Sequence, residues 1–179
     1  MKRVFIILIV AAGLVVECTA QRASSRHPAT NLDDYSTWHR EEPEDKAFVA
    51  LFPEAPKYSK TPQKDFILYG LSLDRDPKEG IMYEAFCLDY EFKPRITAKD
   101  FLEIFLTQGH GQLIAEAPVK LNEYSGVEFV ASFPNNRFSR LLGFVLGTRI
   151  YVIRFEAAHQ KDLRSPRIEY FLKNFELRP

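Results

Sequence analysis

Histidine is the residue type whose side chain acts most readily as an acid or base near neutral pH. The chain of 179 residues contains four histidines: His27, His39, His110 and His159. Their spacing does not gather the three or four ligands that a zinc ion requires, and no cysteine pair or acidic triplet supplies the rest. His110 lies between Gly109 and Gly111, where an exposed imidazole can act as a general base. A turn that ends the preceding helix explains the same glycines, and the sequence favours that interpretation.

Two charged residues, Glu128 and Arg140, are embedded in apolar segments that read as strands. If residues 135–136 form a two-residue turn, Arg140 pairs with Ala131 in the neighbouring strand. Arg140 then shares a face with two apolar residues, Phe129 and Leu142. A cross-strand or diagonal ion pair is the favoured explanation for these charges, and an anchor for a ligand is the alternative.

The overall charge argues against nucleic acid as a partner. The sequence has 24 basic and 24 acidic residues, and therefore no net charge to attract a phosphate backbone. It is 46% hydrophobic and 13% aromatic, which is enough to build a sizeable core. Composition therefore predicts a globular domain that binds no nucleic acid.

The N-terminus has the pattern of a secretory signal peptide. Lys2 and Arg3 precede the apolar segment Val4–Val16, which is shorter than the roughly 20 residues that span a bilayer. Small residues follow, so we expect cleavage after Ala20 and no transmembrane segment in the mature chain. Lipid attachment at Cys18 is a disfavoured alternative, because lipoprotein signals place a small residue where this chain has glutamate. The predicted location is therefore periplasmic or extracellular.

Removal of the signal leaves Cys87 as the one cysteine, which the sequence predicts to be a small buried hydrophobe. Residues 21–46 are polar and charged and predict a flexible lead-in to the domain. Trp38, the only tryptophan, lies in this lead-in. We expect it to dock on the domain, and a contact point for a partner is the alternative.

Residues 47–179 predict a single α+β domain. Two segments have helical spacing: residues 97–107, with Thr97 and Asp100 as a capping box, and residues 166–174, capped by Ser165. The intervening segments have the apolar alternation of strands. They are residues 47–52, 66–73, 81–92, 113–119 (bent near Pro118), 127–133, 138–146 and 149–156. This order predicts an antiparallel sheet of six or seven strands packed by two helices.

Four short motifs carry a resemblance to a known group. They are Phe52-Pro53-x-x-Pro56, Gly126-x-Glu128-Phe129, Gly147-x-Arg149-x-Tyr151 and Phe171-Leu172-x-x-Phe175-x-Leu177. In this order they resemble a group of exported bacterial domains of unknown function whose fold is similar to that of PsbP-like and DcrB-like proteins. The resemblance implies an antiparallel sheet flanked by helices and a role as an accessory or binding module. It carries over no catalytic residue.

The sequence therefore predicts a non-catalytic exported domain that binds a protein or cell-envelope component and needs no cofactor or metal. The alternatives are a carrier of a small apolar ligand, and a hydrolase-type enzyme centred on His110. Two contact regions are predicted, the sheet face around Arg140 and the charged loop Asp74–Gly80, whose carboxylates Asp74 and Asp76 we expect to be solvated. The candidate binding residues are Arg140, Glu128, His110 and Trp38.

Overall fold

The computed structural model describes residues 35–179, which belong to one compact unit. The predicted signal peptide and the part of the lead-in before Tyr35 lie outside the described residues. Between residues 35 and 179, no helix has the length and apolar character needed to cross a membrane.

The described elements are ten strands, two α-helices and two short 3-10 helices. In chain order the strands are β1 His39–Glu41, β2 Phe48–Phe52, β3 Lys57–Pro62, β4 Phe66–Leu73, β5 Met82–Tyr90, β6 Gln112–Leu121, β7 Tyr124–Phe133, β8 Arg137–Leu146, β9 Arg149–Ala157 and β10 Glu176–Leu177. The helices are α1 Ala98–Gln108 and α2 Pro166–Lys173, and the 3-10 helices are Tyr35–Thr37 and Gln160–Arg164.

Seven strands form one antiparallel sheet in the order β3-β4-β5-β9-β8-β7-β6. The predicted fold class is confirmed. The membership of the sheet differs in one respect, because β2 pairs with β1 and β10 in a separate three-stranded sheet. The seventh place in the large sheet belongs to β3, a mostly polar edge strand that apolar alternation could not reveal.

Helix α1 covers one face of the large sheet. Its N-terminus has the predicted capping box, in which the Thr97 side chain accepts from the Asp100 N–H and the Asp100 side chain accepts from the Thr97 N–H. The apolar stripe, which includes Phe101 and Leu102, is buried against β7 and β8. Contact is close because β8 has glycine at position 143, where a Cβ would lie 3.2 Å from Leu102 Cγ.

Helix α2 and the small sheet cover the opposite face. Ser165 caps α2 as predicted, since its hydroxyl accepts from the Ile168 N–H. Phe171 is fully buried, and its ring contacts those of Phe52, Tyr83 and Phe155. The prediction that the stripe on α2 closes the core is confirmed, and the centre of the sheet is covered on both sides.

Part of the predicted flexible lead-in is folded. Residues 35–46 contain a 3-10 helix and β1, which pairs antiparallel with β2 from His39↔Phe52 to Glu41↔Ala50. Trp38 is only 8% exposed and docks as expected on the domain. The charged residues around Trp38 gave the segment a disordered composition, but burial of the indole and pairing of β1 with β2 together offset part of the cost of ordering it.

Strand β6 is longer than predicted, and its irregularity is in a different place. The register shifts between Leu113 and Ala115, whereas pairing with β7 is regular on both sides of Pro118. Because β6 is an edge strand, one side of its backbone needs no partner, and proline is tolerated without a bend.

Candidate functional site

The connection between β7 and β8 decides where Arg140 lies. Three residues, Pro134 to Asn136, separate the strands, and Asn136 has a φ of 58°. This is a three-residue hairpin that ends in a left-handed residue, not the predicted two-residue turn. Arg140 therefore pairs with Val130 and not with Ala131. The one-residue shift also places Phe129 on the opposite face from Arg140.

The new register brings Glu128 and Arg140 onto the same face, diagonally across β7 and β8. The Glu128 Oε2 atom accepts from the Arg140 guanidinium at 2.9 Å, so the expected diagonal ion pair is present. Two further residues complete what we call the Arg140 network. Arg164 donates to Glu128 Oε1 at 2.6 Å, and Glu169 accepts from Arg140 at 2.7 Å.

The Arg140 network is neutral, because its two arginines alternate with its two glutamates. The side chains of Arg140 and Glu128 are only 5% and 8% exposed. Both oxygens of Glu128 accept from a guanidinium, so this buried carboxylate is not free to act as a base towards a bound molecule, whereas Glu169 is 52% exposed and bonded through one oxygen. The Arg140 network therefore has a structural role, because its ion pairs join the large sheet to α2 and to the second 3-10 helix.

The loop between β4 and β5 contains a second buried ion pair, which corrects a sequence prediction. Asp76 is fully buried, not solvated, and accepts from Arg167 Nε at 2.7 Å. The Arg167 guanidinium also lies 5.0 Å from the centre of the Trp38 ring. The pair therefore joins this loop, α2 and the lead-in.

The sequence contained a signal for the burial of Arg167 but none for that of Asp76. Arg167 precedes Phe171 by four residues and so lies on the buried stripe of α2, where an arginine requires a partner. Asp76 offered no such signal, because its burial depends on the fold of the whole loop. Asp74, by contrast, is exposed as predicted.

His110 lies on an exposed turn at the end of α1. Its φ of 54° is left-handed, and three backbone N–H groups, those of Gly109, His110 and Gly111, donate to carbonyls of the last helical turn. A Cβ at either glycine would lie 2.9 Å from Phe133 Cε1. The Gly-His-Gly sequence is therefore explained by helix termination and by the close approach of the Phe133 ring.

The structure does not bring the four candidate binding residues together on a surface. Arg140, Glu128 and Trp38 are buried, and His110 alone is exposed. Direct contact with a partner through the three buried side chains would require the domain to open. Their role in binding stays a prediction.

Cys87 is fully buried, as predicted, and burial raises the pKa of its thiol. Its neighbours include Tyr151, whose pKa burial raises to about 12, and Asp45. The Asp45 carboxyl lies 3.8 Å from the Arg149 guanidinium, yet burial raises its pKa above the ordinary value of 3.8. Within residues 35–179, no three histidine, cysteine or acidic side chains are grouped so as to hold a metal ion.

Exposed apolar side chains were missed by the sequence interpretation. Four large ones are well exposed in the described part of the chain: Tyr58, Phe92, Leu113 and Ile114. Leu113 and Ile114 are consecutive and lie on β6, whose residues from Gln112 to Pro118 are all exposed. No local pattern marks them, because a buried strand and an exposed edge strand have similar composition when the strand order is unknown.

Comparison with known proteins gives a fold but no family. No protein-family model and no curated protein match the chain. The solution structure of cyanobacterial PsbP (CyanoP) from Synechocystis sp. PCC 6803 is similar, with a TM-score of 0.51 and 10% identity over 86% of this chain and 98% of that chain. A crystal structure from Bacteroides thetaiotaomicron VPI-5482 has a TM-score of 0.44 and 12% identity over 75% of this chain and 46% of that chain. The chain therefore has a PsbP-like fold.

Proposed function

We propose that this chain is a non-catalytic exported domain that binds a protein partner of the cell envelope through the outer edge of β6. The observation that carries the proposal is this edge strand of ten residues, exposed along most of its length, with two large apolar side chains next to each other. The signal-like N-terminus supports export, and the PsbP-like fold is compatible with an accessory role.

The outer side of β6 can accept another strand. Its hydrogen-bonded neighbour in the sheet is β7 alone, so its backbone groups on the other side are available to a second chain. Leu113 and Ile114 are 46% and 45% exposed and would be covered by such a chain. Addition of an extended peptide to a sheet edge is a common mode of protein recognition.

Three features restrict where this pairing can occur. Pro118 cannot donate a hydrogen bond, the register shift lies next to Leu113, and Glu116 is paired with Lys99 at 2.8 Å. Such features protect natural edge strands from uncontrolled association. Pro118 ends the accessible segment, which comprises residues 112–117, and the register shift and the ion pair within it favour a short, specific partner strand over open-ended pairing.

The interior supports a non-catalytic role. Two of the most buried ion pairs, Arg140–Glu128 and Arg167–Asp76, consist of groups already bonded to one another. A catalytic acid or base has to reach a substrate with at least one free polar atom. The aromatic side chains between the large sheet and α2 contact one another and are explained by packing.

The experiment places a photo-crosslinking amino acid at Ile114 of the full chain in its native cells. A matched control has the same amino acid at Lys173, an exposed position on α2. We expect one discrete crosslinked product from position 114 and none of that size from position 173. Leu113→Glu should remove this product, because a charge at the pairing edge disfavours burial.

Equal products from both positions, or a product from position 114 that survives Leu113→Glu, would disprove contact through β6. Native mass spectrometry of the purified chain tests the carrier alternative in the same preparation. A discrete added mass that stays with the folded chain would favour an apolar ligand over a protein partner.

A further inference from the structure

The loop that joins β5 to α1, residues 91–96, presents the most exposed large apolar side chain of the described residues. Phe92 is 75% exposed, compared with 58% for Tyr58. Both ends of this Phe92 loop are fixed. The Tyr90 N–H donates to the Thr148 carbonyl at 3.2 Å, and the Thr97 capping box begins α1 directly after the loop. The ring is therefore presented by an ordered support and not by a frayed end.

Three cations accompany the exposed ring. Lys93 and Arg95 belong to the Phe92 loop. Lys64 belongs to the turn between β3 and β4, which lies beside the end of β5 because Phe66 pairs with Tyr90. All three are exposed, and none takes part in an ion pair among residues 35–179.

An arginine without an ion pair, such as Arg95, is unusual among the described residues, whereas lysines without one, such as Lys64 and Lys93, are common. Most of its arginines are bonded to carboxylates, as Arg149 is to Asp89 and Arg178 to Glu42. Two anions, Asp65 and Glu91, are neighbours in sequence of the three free cations. The charge of this surface is therefore positive by a small margin, and its distinctive feature is the combination of a projecting ring with unpaired cations.

We propose that the Phe92 loop binds the surface of a bilayer that contains anionic lipids, with Phe92 inserted at the boundary between headgroups and acyl chains. A ring that projects from the surface suits a bilayer, which requires no matching groove. Lys93, Arg95 and Lys64 interact with lipid phosphates beside the inserted ring. The contact is weak and reversible. It uses residues other than those of the outer edge of β6.

The test uses tryptophan as a reporter in the full chain. Phe92→Trp is compared with Tyr58→Trp, an exposed aromatic position on β3, and with the wild type, whose only tryptophan is buried. Each is mixed with vesicles of phosphatidylglycerol and phosphatidylcholine, part of the latter brominated to quench fluorescence at the acyl chains. We expect a shift of emission to shorter wavelength and strong quenching in Phe92→Trp alone.

Charge is tested in the same assay by partition into the vesicles. Lys93→Ala and Arg95→Ala should each weaken partition about fivefold, and the loss should disappear with pure phosphatidylcholine. Quenching of Phe92→Trp no greater than that of Tyr58→Trp would overturn the proposal. So would an unchanged partition of the variant that lacks both cations. A photo-crosslink from position 92 to an acidic protein, without quenching by brominated lipid, would assign the loop to a protein and overturn the lipid contact.

Discussion

At the scale of single residues, the interior charges of this domain are held by partners of opposite sign. An ionised group that is buried alone loses several kcal/mol of hydration, so it is retained only where partners and hydrogen bonds offset that loss. Arg140 has two carboxylates and Arg167 has one, each within 2.9 Å. These side chains fix the positions of strands and helices relative to one another.

Removal of one partner should therefore be costly. We expect Arg140→Met to lower the free energy of unfolding by about 3 kcal/mol, because Glu128 remains buried with one guanidinium in place of two. Urea denaturation followed by circular dichroism measures the loss. Lys57→Met, which breaks the exposed pair with Asp74, is the control and should have no measurable effect. A similar loss in both variants would contradict the structural role of the Arg140 network.

Asp45 provides a prediction about pH. Its folded-state pKa is raised by burial above the unfolded value near 3.8, so the fold holds the proton more tightly than the unfolded chain does. The stability that the protonated Asp45 side chain contributes is fully present below the pKa of the unfolded state, and it is lost as the pH rises through the pKa of the folded state. Asp45→Asn keeps an acceptor for the Ala47 N–H and removes this dependence. The stability of the variant relative to the wild type should therefore increase with pH above about 3.8.

Asp100→Asn is the matched comparison for the effect of pH. Hydrogen bonds from Thr97 lower the pKa of Asp100, so its ionised form stabilises α1 above the unfolded pKa and this contribution is lost as the pH falls. The relative stability of Asp100→Asn should therefore decrease with pH, the opposite of Asp45→Asn. Unfolding curves between pH 3 and pH 7 test the direction of both pH dependences. Stabilities that change with pH in the same direction in the two variants would contradict the opposite pKa shifts of Asp45 and Asp100.

At the scale of elements, local chemistry determined what could be predicted from sequence. The ends of α1 and α2 were predictable because Thr97, Asp100 and Ser165 act on neighbouring backbone groups. The register between β7 and β8 was not, since two-residue and three-residue turns are both compatible with the Pro-Asn-Asn sequence. Asp76 and Arg167 lie 91 residues apart, and no local pattern indicates that they meet.

The packing of α1 on β8 gives a prediction at this scale. Gly143→Val should cost about 1–3 kcal/mol, because its side chain would meet Leu102 and the Ala98 carbonyl within 3.4 Å. Leu102→Ala alone should cost about 2–5 kcal/mol by opening a cavity. In the double variant the new side chain fills that cavity, so the combined loss should be smaller than the sum by at least about 0.5 kcal/mol. Strict additivity in urea denaturation would show that the two residues are not in contact.

At the scale of the whole molecule, the strand order sets which surfaces are available. The sequence predicted the PsbP-like fold but not that β6 would be an edge, because order within a sheet depends on every pairing together. It also placed Trp38 in a flexible segment. The ring docks on the domain as expected, among Tyr35, Tyr83 and Tyr170, which come from three different parts of the chain, and the segment that contains it is folded.

Because Trp38 docks on the domain, we expect residues 35–46 to unfold together with the rest of the domain in one cooperative transition. Because Trp38 contacts α2 and β5, its fluorescence should change at the same urea concentration as the far-ultraviolet circular dichroism of the sheet and helices. Arg167→Met, which removes the guanidinium beneath the ring, should lower both midpoints equally. A fluorescence transition at lower urea than the loss of secondary structure would mean that residues 35–46 detach independently.

We propose that the interior charges maintain the fold while the edge of β6 makes the functional contact. Crosslinking from position 114 in native cells tests this division most directly, in chains that also carry either Arg140→Met or Leu113→Glu. We predict that the crosslinked product persists in Arg140→Met, at a temperature where this variant is folded, and disappears in Leu113→Glu. Loss of the product in a folded Arg140→Met chain, with its retention in Leu113→Glu, would contradict the account.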